Sequence, residues 1–169
     1  MTAPARTLRT SDSIEIEIIA QSARWTAYPG ADAVVRGAIE AAALLVGRPG
    51  SVAVMLTDDA TIRDMNATWR GIDRPTNVLS FPSRESFALP GAIHLGDIAI
   101  ACETVEAESA AENKAFADHL AHLAVHGYLH LVGLDHETDA EAVGMENLET
   151  RILSGLGIAD PYADPTSAD

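Results

Sequence analysis

The chain has 169 residues, of which 47% are hydrophobic and 21% are charged, values typical of a folded globular chain rather than a disordered or fibrous one. At this length we expect one domain. No apolar run approaches the ~20 residues that span a bilayer, and the first ten residues lack the apolar core of a secretion signal. We therefore expect neither a membrane protein nor a secreted one.

The chain has a single cysteine, Cys102, which excludes an internal disulfide framework and a zinc site built from several thiolates. This usage predicts a reducing, cytoplasmic location. Cys102 has no partner at ligand spacing, so we expect it to be a small buried side chain.

The net charge of −14 argues at first against a nucleic-acid partner, because phosphate binding usually leaves a basic footprint. The charge is unevenly distributed: residues 1–96 hold 10 acids and 9 bases, whereas residues 97–169 hold 15 acids and 2 bases. Between positions 63 and 84 there are four arginines and two acids. We expect an anionic ligand to meet this segment first.

The hydrophobic pattern predicts a strand, a helix, a second strand and a second helix in the first half of the chain, at 14–18, 32–46, 51–56 and about 59–69, with Asp58 as a helix cap. Residues 70–76 are predicted to be a loop. Two further strands and two helices follow, at 78–81, 97–101, about 112–131 and about 139–153.

This order predicts an α+β fold: a single domain in which a small mixed β-sheet packs with helices. The boundaries expected are a disordered N-terminal tail at 1–12, the domain at 13–157 and a flexible C-terminal tail at 158–169.

Four of the six histidines, at positions 119, 122, 126 and 130, fall within about 80° of arc on one helix face. A fifth, His136, follows beyond Gly133. Two histidines one turn apart can bind the same ion, and a glycine lets the chain leave the helix so that a third completes the site. We predict that His126, His130 and His136 bind one zinc ion per chain, with an open position typical of a catalytic site.

The other histidines have simpler expected roles. His119 and His122 are predicted to pack, or to orient their neighbours. His94 is predicted to lie in a loop. Asp135 has three open roles: a hydrogen bond to a ligand imidazole, action on a bound water, or capping of the turn.

The three histidines and the glycine match the metzincin protease signature His-Glu-x-x-His-x-x-Gly-x-x-His, but position 127 is glycine. In zinc proteases that glutamate is the general base that takes the proton from the attacking water. A zinc-protease-like hydrolase without this base is therefore kept as an alternative.

The histidine segment, read from His126 to His136 as His-Gly-x-Leu-His-Leu-x-Gly-x-Asp-His, resembles the signature of the YbeY family of bacterial endoribonucleases. Residues 56–66, 69–71 (Trp-Arg-Gly) and 74–82 are similar to a second family block, and residues 95–98 (Leu-Gly-Asp-Ile) to a third. The resemblance implies a single α+β domain with a mixed sheet, a metal held by the three motif histidines, and a functional arginine at Arg70.

The resemblance further implies a metal-dependent, single-strand-specific endoribonuclease that acts in 16S rRNA 3′-end maturation and ribosome quality control. By its residue type and position alone, Arg70 would be expected to be a surface residue that caps the preceding helix. The resemblance makes it the predicted catalytic arginine, whose planar fork matches phosphate oxygens, and Arg74 is expected to contact RNA backbone. Expected partners are single-stranded RNA or rRNA and the ribosome or a ribosomal protein, with no membrane and no DNA. A second alternative is a non-catalytic ribosome assembly factor whose acidic half binds a basic ribosomal protein and whose metal is structural.

Overall fold

The computed structural model describes residues 13–83 and 93–163. Within these ranges four strands form one sheet: β1 (Ile14–Ala20), β2 (Gly50–Thr57), β3 (Val78–Pro82) and β4 (His94–Ala101). Their order is β1-β2-β4-β3; the first three are parallel, and β3 runs antiparallel to β4 at the edge. The mixed sheet expected from the sequence is confirmed.

The helices are a short 3₁₀ helix (Ala23–Ala27), α1 (Ala31–Val46), α2 (Asp59–Arg70), α3 (Cys102–Ala111), α4 (Phe116–Leu131) and α5 (Asp139–Gly155). Asp58 caps α2 as predicted, its side chain accepting a hydrogen bond from the Thr61 backbone N–H at 2.9 Å. Throughout the described ranges, no helix is both long enough and apolar enough to cross a membrane. The prediction of one α+β domain is confirmed.

The main core lies between one face of the sheet and the helices α1 and α4. Strand residues such as Val54 and Ile98 share this core with α4, whose buried side chains lie on most of its circumference. A helix enclosed in this way has little freedom to shift, so it is a rigid support for residues at its end. On the other face of the sheet, Ile62 of α2 covers only part of the surface, near Leu79 and Ala99.

The predicted start of the helix at 112–131 is wrong, because α4 begins at Phe116. The helix α3 was also not predicted from the sequence. Asn113 has a left-handed backbone with φ 54°, which separates α3 from α4 and delays α4 to Phe116. Asparagine adopts this conformation more readily than most residues. The buried face of α3 includes the polar Ser109 beside Cys102 and Val105, so no apolar stripe marks the helix in the sequence.

Two residues predicted to lie in loops belong to regular elements. Arg70 is the last residue of α2, because Gly71, in the left-handed conformation at φ 69°, ends the helix one residue later than predicted. His94 is the first residue of β4, where its ring contacts Ser51 and Asp97 at 2.9 Å each.

The packed part of the chain continues beyond residue 157. Ile158 packs against the main core, and Lys114 Nζ donates a hydrogen bond to the Pro161 carbonyl at 3.1 Å. The predicted tail at 158–169 is thus held against the domain as far as Ala163. The predicted N-terminal tail, 1–12, and residues 164–169 lie outside the described residues.

Candidate metal centre

Three histidines converge at the C-terminal end of α4. His126 and His130 are one helical turn apart on α4, and His136 lies in the turn that follows. One ligand nitrogen from each ring lies within 4.8 Å of the other two. The Nε2 atoms of His126 and His130 are 3.0 Å apart. The structure therefore brings together the three residues that the spacing singles out.

Gly133 makes this convergence possible. Its φ of +95° lies in a region that residues with a Cβ rarely adopt. A Cβ at this position would meet no atom within 4 Å, so the backbone conformation, and not a lack of space, favours glycine here. The backbone N–H of Gly133 donates to the His130 carbonyl, and that of Leu134 to the Leu129 carbonyl, which closes the end of α4. The chain then turns and brings His136 back beside the helix.

We expect Gly133→Ala to weaken zinc binding by about tenfold although it removes no ligand. A left-handed alanine costs on the order of 1–2 kcal/mol, and relaxing that strain moves His136 away from the other two rings. The measurement is a zinc competition titration. Gly144→Ala is the control, because Gly144 lies within α5 without a positive φ, and a Cβ there would meet no other atom within 4 Å. Equal affinities for Gly133→Ala and the wild type would contradict this role.

The donor set fits a zinc ion. Three imidazole nitrogens leave one tetrahedral position open, the arrangement found in catalytic rather than structural zinc sites. Burial, and then the charges of His126 and His136, lower the pKa of His130. This shift favours the neutral imidazole, the form that binds a metal. His136 is exposed, so the cluster is accessible from that side.

Glu149 of α5 belongs to this centre but was not predicted from the sequence. It is 0% exposed; Oε1 lies 2.6 Å from Nδ1 of His126, and Oε2 lies 2.7 Å from Nε2 of His122. Burial alone would raise the pKa of this carboxyl, but hydrogen bonds with His122, His126 and Tyr162 lower it to about 2. One signal in the sequence could have identified Glu149 as a buried residue: it lies at helical spacing from Met145 and Ile152, which share the buried face of α5 with it.

The remaining predicted residues lie outside the cluster. His119 is buried with its Nε2 2.7 Å from Glu108. His122 contacts the cluster through Glu149 and through an edge contact with the ring of His126, in line with the packing and orienting roles expected. Asp135 accepts a hydrogen bond from the His136 backbone N–H at 2.8 Å, which is the turn-capping alternative. Cys102 is buried as predicted.

Gly127, at the position of the metzincin glutamate, packs against the sheet. A Cβ there would lie 3.1 Å from Cγ2 of Ile98 and 3.2 Å from Oγ of Ser80. The Ser80 hydroxyl also donates a hydrogen bond to the Gly127 carbonyl at 2.9 Å. A glutamate at this position would meet the sheet, so it could not act as the base of a zinc protease.

Arg70 is not part of the histidine cluster, but it contacts Ser80 of β3, which in turn contacts Gly127 of α4 beside His126. Its Nη2 donates a hydrogen bond to the Ser80 carbonyl at 3.1 Å. Arg70 lines a groove of about 970 Å³ on the sheet face that α2 leaves partly open. Trp69, 70% exposed, and Phe81 also line the groove, with ring centroids 6.3 Å apart. The groove thus combines one cation, Arg70, and one carboxylate, Asp97, with apolar and aromatic surface.

Known proteins match most of this chain. The family model for endoribonuclease YbeY matches residues 22–157. An endoribonuclease YbeY of Rhodopseudomonas palustris strain BisA53 is 55% identical over 161 residues, covering 92% of each chain. The one from Nitrobacter hamburgensis is 52% identical over 154 residues, covering 87% of this chain and 81% of the other.

A solved structure supports the fold alone. The solution structure of TM1509 from Thermotoga maritima matches with a TM-score of 0.50 at 23% identity, covering 88% of this chain and 99% of that one. The sequence matches confirm the resemblance seen in the motifs and the expectation of an endoribonuclease. The chain belongs to the endoribonuclease YbeY family.

Proposed function

We propose that the domain, which begins at residue 13 and is packed as far as Ala163, is a zinc-dependent, single-strand-specific endoribonuclease that acts in 16S rRNA 3′-end maturation and ribosome quality control. The observation that carries the proposal is the convergence of His126, His130 and His136 in a chain of this family. The rRNA and ribosome roles are supported by family membership.

The chemistry divides between the metal and the protein. Zinc, when bound, would supply a Lewis acid that polarises a phosphoryl oxygen of the substrate. The three histidines hold the ion and leave one face accessible. Arg70, anchored by Nη2 on the Ser80 carbonyl, can present its other N–H groups to phosphate oxygens and stabilise the negative charge that develops in the transition state.

The groove beside Arg70 supports a single-stranded substrate. Unpaired bases stack on exposed aromatic rings, whereas the bases of a duplex are already stacked on each other. Trp69 supplies such a ring next to the arginine. Of the arginines between positions 63 and 84, Arg63 is paired with Asp73 at 2.8 Å, and Arg84 lies outside the described residues. Arg70 and Arg74 are therefore the cations we assign to RNA.

The protease alternative is disfavoured because position 127 carries no carboxylate and a side chain there would be directed at the sheet. The assembly-factor alternative and the proposed catalysis can both apply to this chain. The 15 acids and 2 bases of residues 97–169 suit a basic ribosomal protein as partner. We propose a cytoplasmic location, which suits the single, buried cysteine and an rRNA substrate.

We expect the purified protein to cut single-stranded RNA and to leave unfolded casein intact. The test incubates both substrates with the zinc-loaded protein, with and without a chelator, under the same conditions. A duplex RNA of the same sequence is the control for strand specificity, and it should be cut at least about tenfold more slowly, because its bases cannot reach Trp69. Chelator-sensitive cleavage of casein with intact RNA would reverse the order of the two functions.

A further inference from the structure

We propose that Glu149 and Tyr162 form a positioning network that sets the tautomer and ring orientation of His126 for metal binding. The inference rests on the proposed metal centre. It adds two residues from separate parts of the chain, one on α5 and one in the segment that follows α5.

The carboxylate of Glu149 determines which nitrogen of His126 is available. A carboxylate offers only acceptor sites, so the His126 Nδ1 that lies 2.6 Å from Oε1 carries a hydrogen and donates it. In the neutral ring this leaves Nε2 with its lone pair. Nε2 is the atom 3.0 Å from Nε2 of His130. The carboxylate therefore directs the ligand atom of His126 toward the cluster.

Tyr162 fixes the carboxylate itself. Its hydroxyl donates a hydrogen bond to Oε2 of Glu149 and also lies 3.1 Å from Nε2 of His122. Since His122 and Tyr162 both donate to Oε2, the carboxylate cannot rotate away from His126 without losing two hydrogen bonds. A carboxylate buried as completely as Glu149 is stable only when its oxygens have such donors.

The segment that carries Tyr162 is anchored at two points. Oδ1 of Asp160 accepts hydrogen bonds from the Tyr162 backbone N–H at 2.8 Å and from the Thr150 hydroxyl at 3.1 Å. Lys114 Nζ donates to the Pro161 carbonyl at 3.1 Å, which joins the segment to the start of α4. Tyr162 is therefore held in place by both α5 and the connection before α4.

A carboxylate hydrogen-bonded to a metal-binding histidine typically contributes 10–100-fold to metal affinity, because it fixes the ring and raises its basicity. Tyr162 acts one hydrogen bond further from the ion, so its contribution should be smaller. A positioning network therefore lowers zinc affinity more when Glu149 is changed than when Tyr162 is changed. If the two residues only supported the structure, both changes would leave zinc affinity as in the wild type.

The first test is a zinc competition titration of the full chain against a chromophoric chelator. We expect the dissociation constant to rise by about tenfold or more for Glu149→Gln and by about threefold for Tyr162→Phe. Tyr162→Phe removes one oxygen from a residue that is 44% exposed, so it preserves the fold. Tyr28→Phe is the matched control, since its hydroxyl donates to Glu106 at 2.9 Å, and it should bind zinc like the wild type.

The second test measures imidazole tautomers in the metal-free protein by long-range ¹H–¹⁵N correlation spectroscopy. We expect the Nδ1–H tautomer for His126 in the wild type, and a mixture of tautomers in Glu149→Gln. An Nε2–H tautomer in the wild type, or wild-type zinc affinity in both Glu149→Gln and Tyr162→Phe, would overturn the network. If the wild type binds no zinc, the metal centre fails, and the tautomers still decide whether the network exists.

Discussion

Replacing His126 and His130 together by alanine is expected to abolish zinc binding and RNA cleavage. Two of the three converging nitrogens are lost, and His136 alone, on an exposed turn, cannot retain the ion. We expect the zinc content to fall from about one ion per chain to below about a tenth, and cleavage to fall by at least about a hundredfold. Elemental analysis and cleavage of single-stranded RNA on the same preparation measure both effects.

Two further variants separate loss of the metal from loss of the fold. His126→Ala leaves Oε1 of Glu149 without its partner, so the single variant His130→Ala, which spares that contact, is measured alongside. His94→Ala is the control, because His94 lies on the surface at the start of β4 and outside the cluster. It should retain full zinc and activity. Full zinc content in the double variant would refute the three-histidine site.

Arg70→Ala is expected to slow cleavage at saturating RNA by about a hundredfold while weakening RNA binding only a few-fold. This difference arises if the guanidinium stabilises charge that develops in the transition state more than charge already present on the bound RNA. The hydrogen bond to the Ser80 carbonyl is also lost, which we expect to cost about 1 kcal/mol of unfolding free energy. Single-turnover cleavage, salt-titrated binding and a thermal melt measure the three quantities.

Arg70→Lys and Arg74→Ala are the comparisons for this experiment. Lysine keeps the charge but not the planar fork, so it should recover little of the cleavage rate. Arg74→Ala should keep the turnover of the wild type, weaken binding evenly across RNA sequences and reduce the salt dependence by about one phosphate contact. A wild-type turnover for Arg70→Ala at saturating RNA would remove Arg70 from the catalytic residues.

Features that depend on local geometry could be predicted from the amino-acid sequence. The period of the helix places His126 and His130 on one face, and Gly133 supplies the positive φ that returns His136 to them. All these residues lie within eleven positions, so their arrangement follows from short-range backbone rules. The alternating and continuous apolar runs likewise predicted all four strands, because each side chain's face is set by the period of a strand.

The residues that support the metal centre from other elements could not be predicted, because the packing of those elements brings them together. In the sequence, Glu149 is one of the 15 acids of residues 97–169, and Tyr162 belongs to the predicted tail. The packing of α5 and the segment after it against α4 brings Glu149 to His126 and Tyr162 to Glu149. The same holds for the hydrogen bond from Arg70 to Ser80, which depends on α2 lying beside the edge strand. Such contacts join different elements of the fold, and the packing of these elements, rather than the local periodicity of either one, determines them.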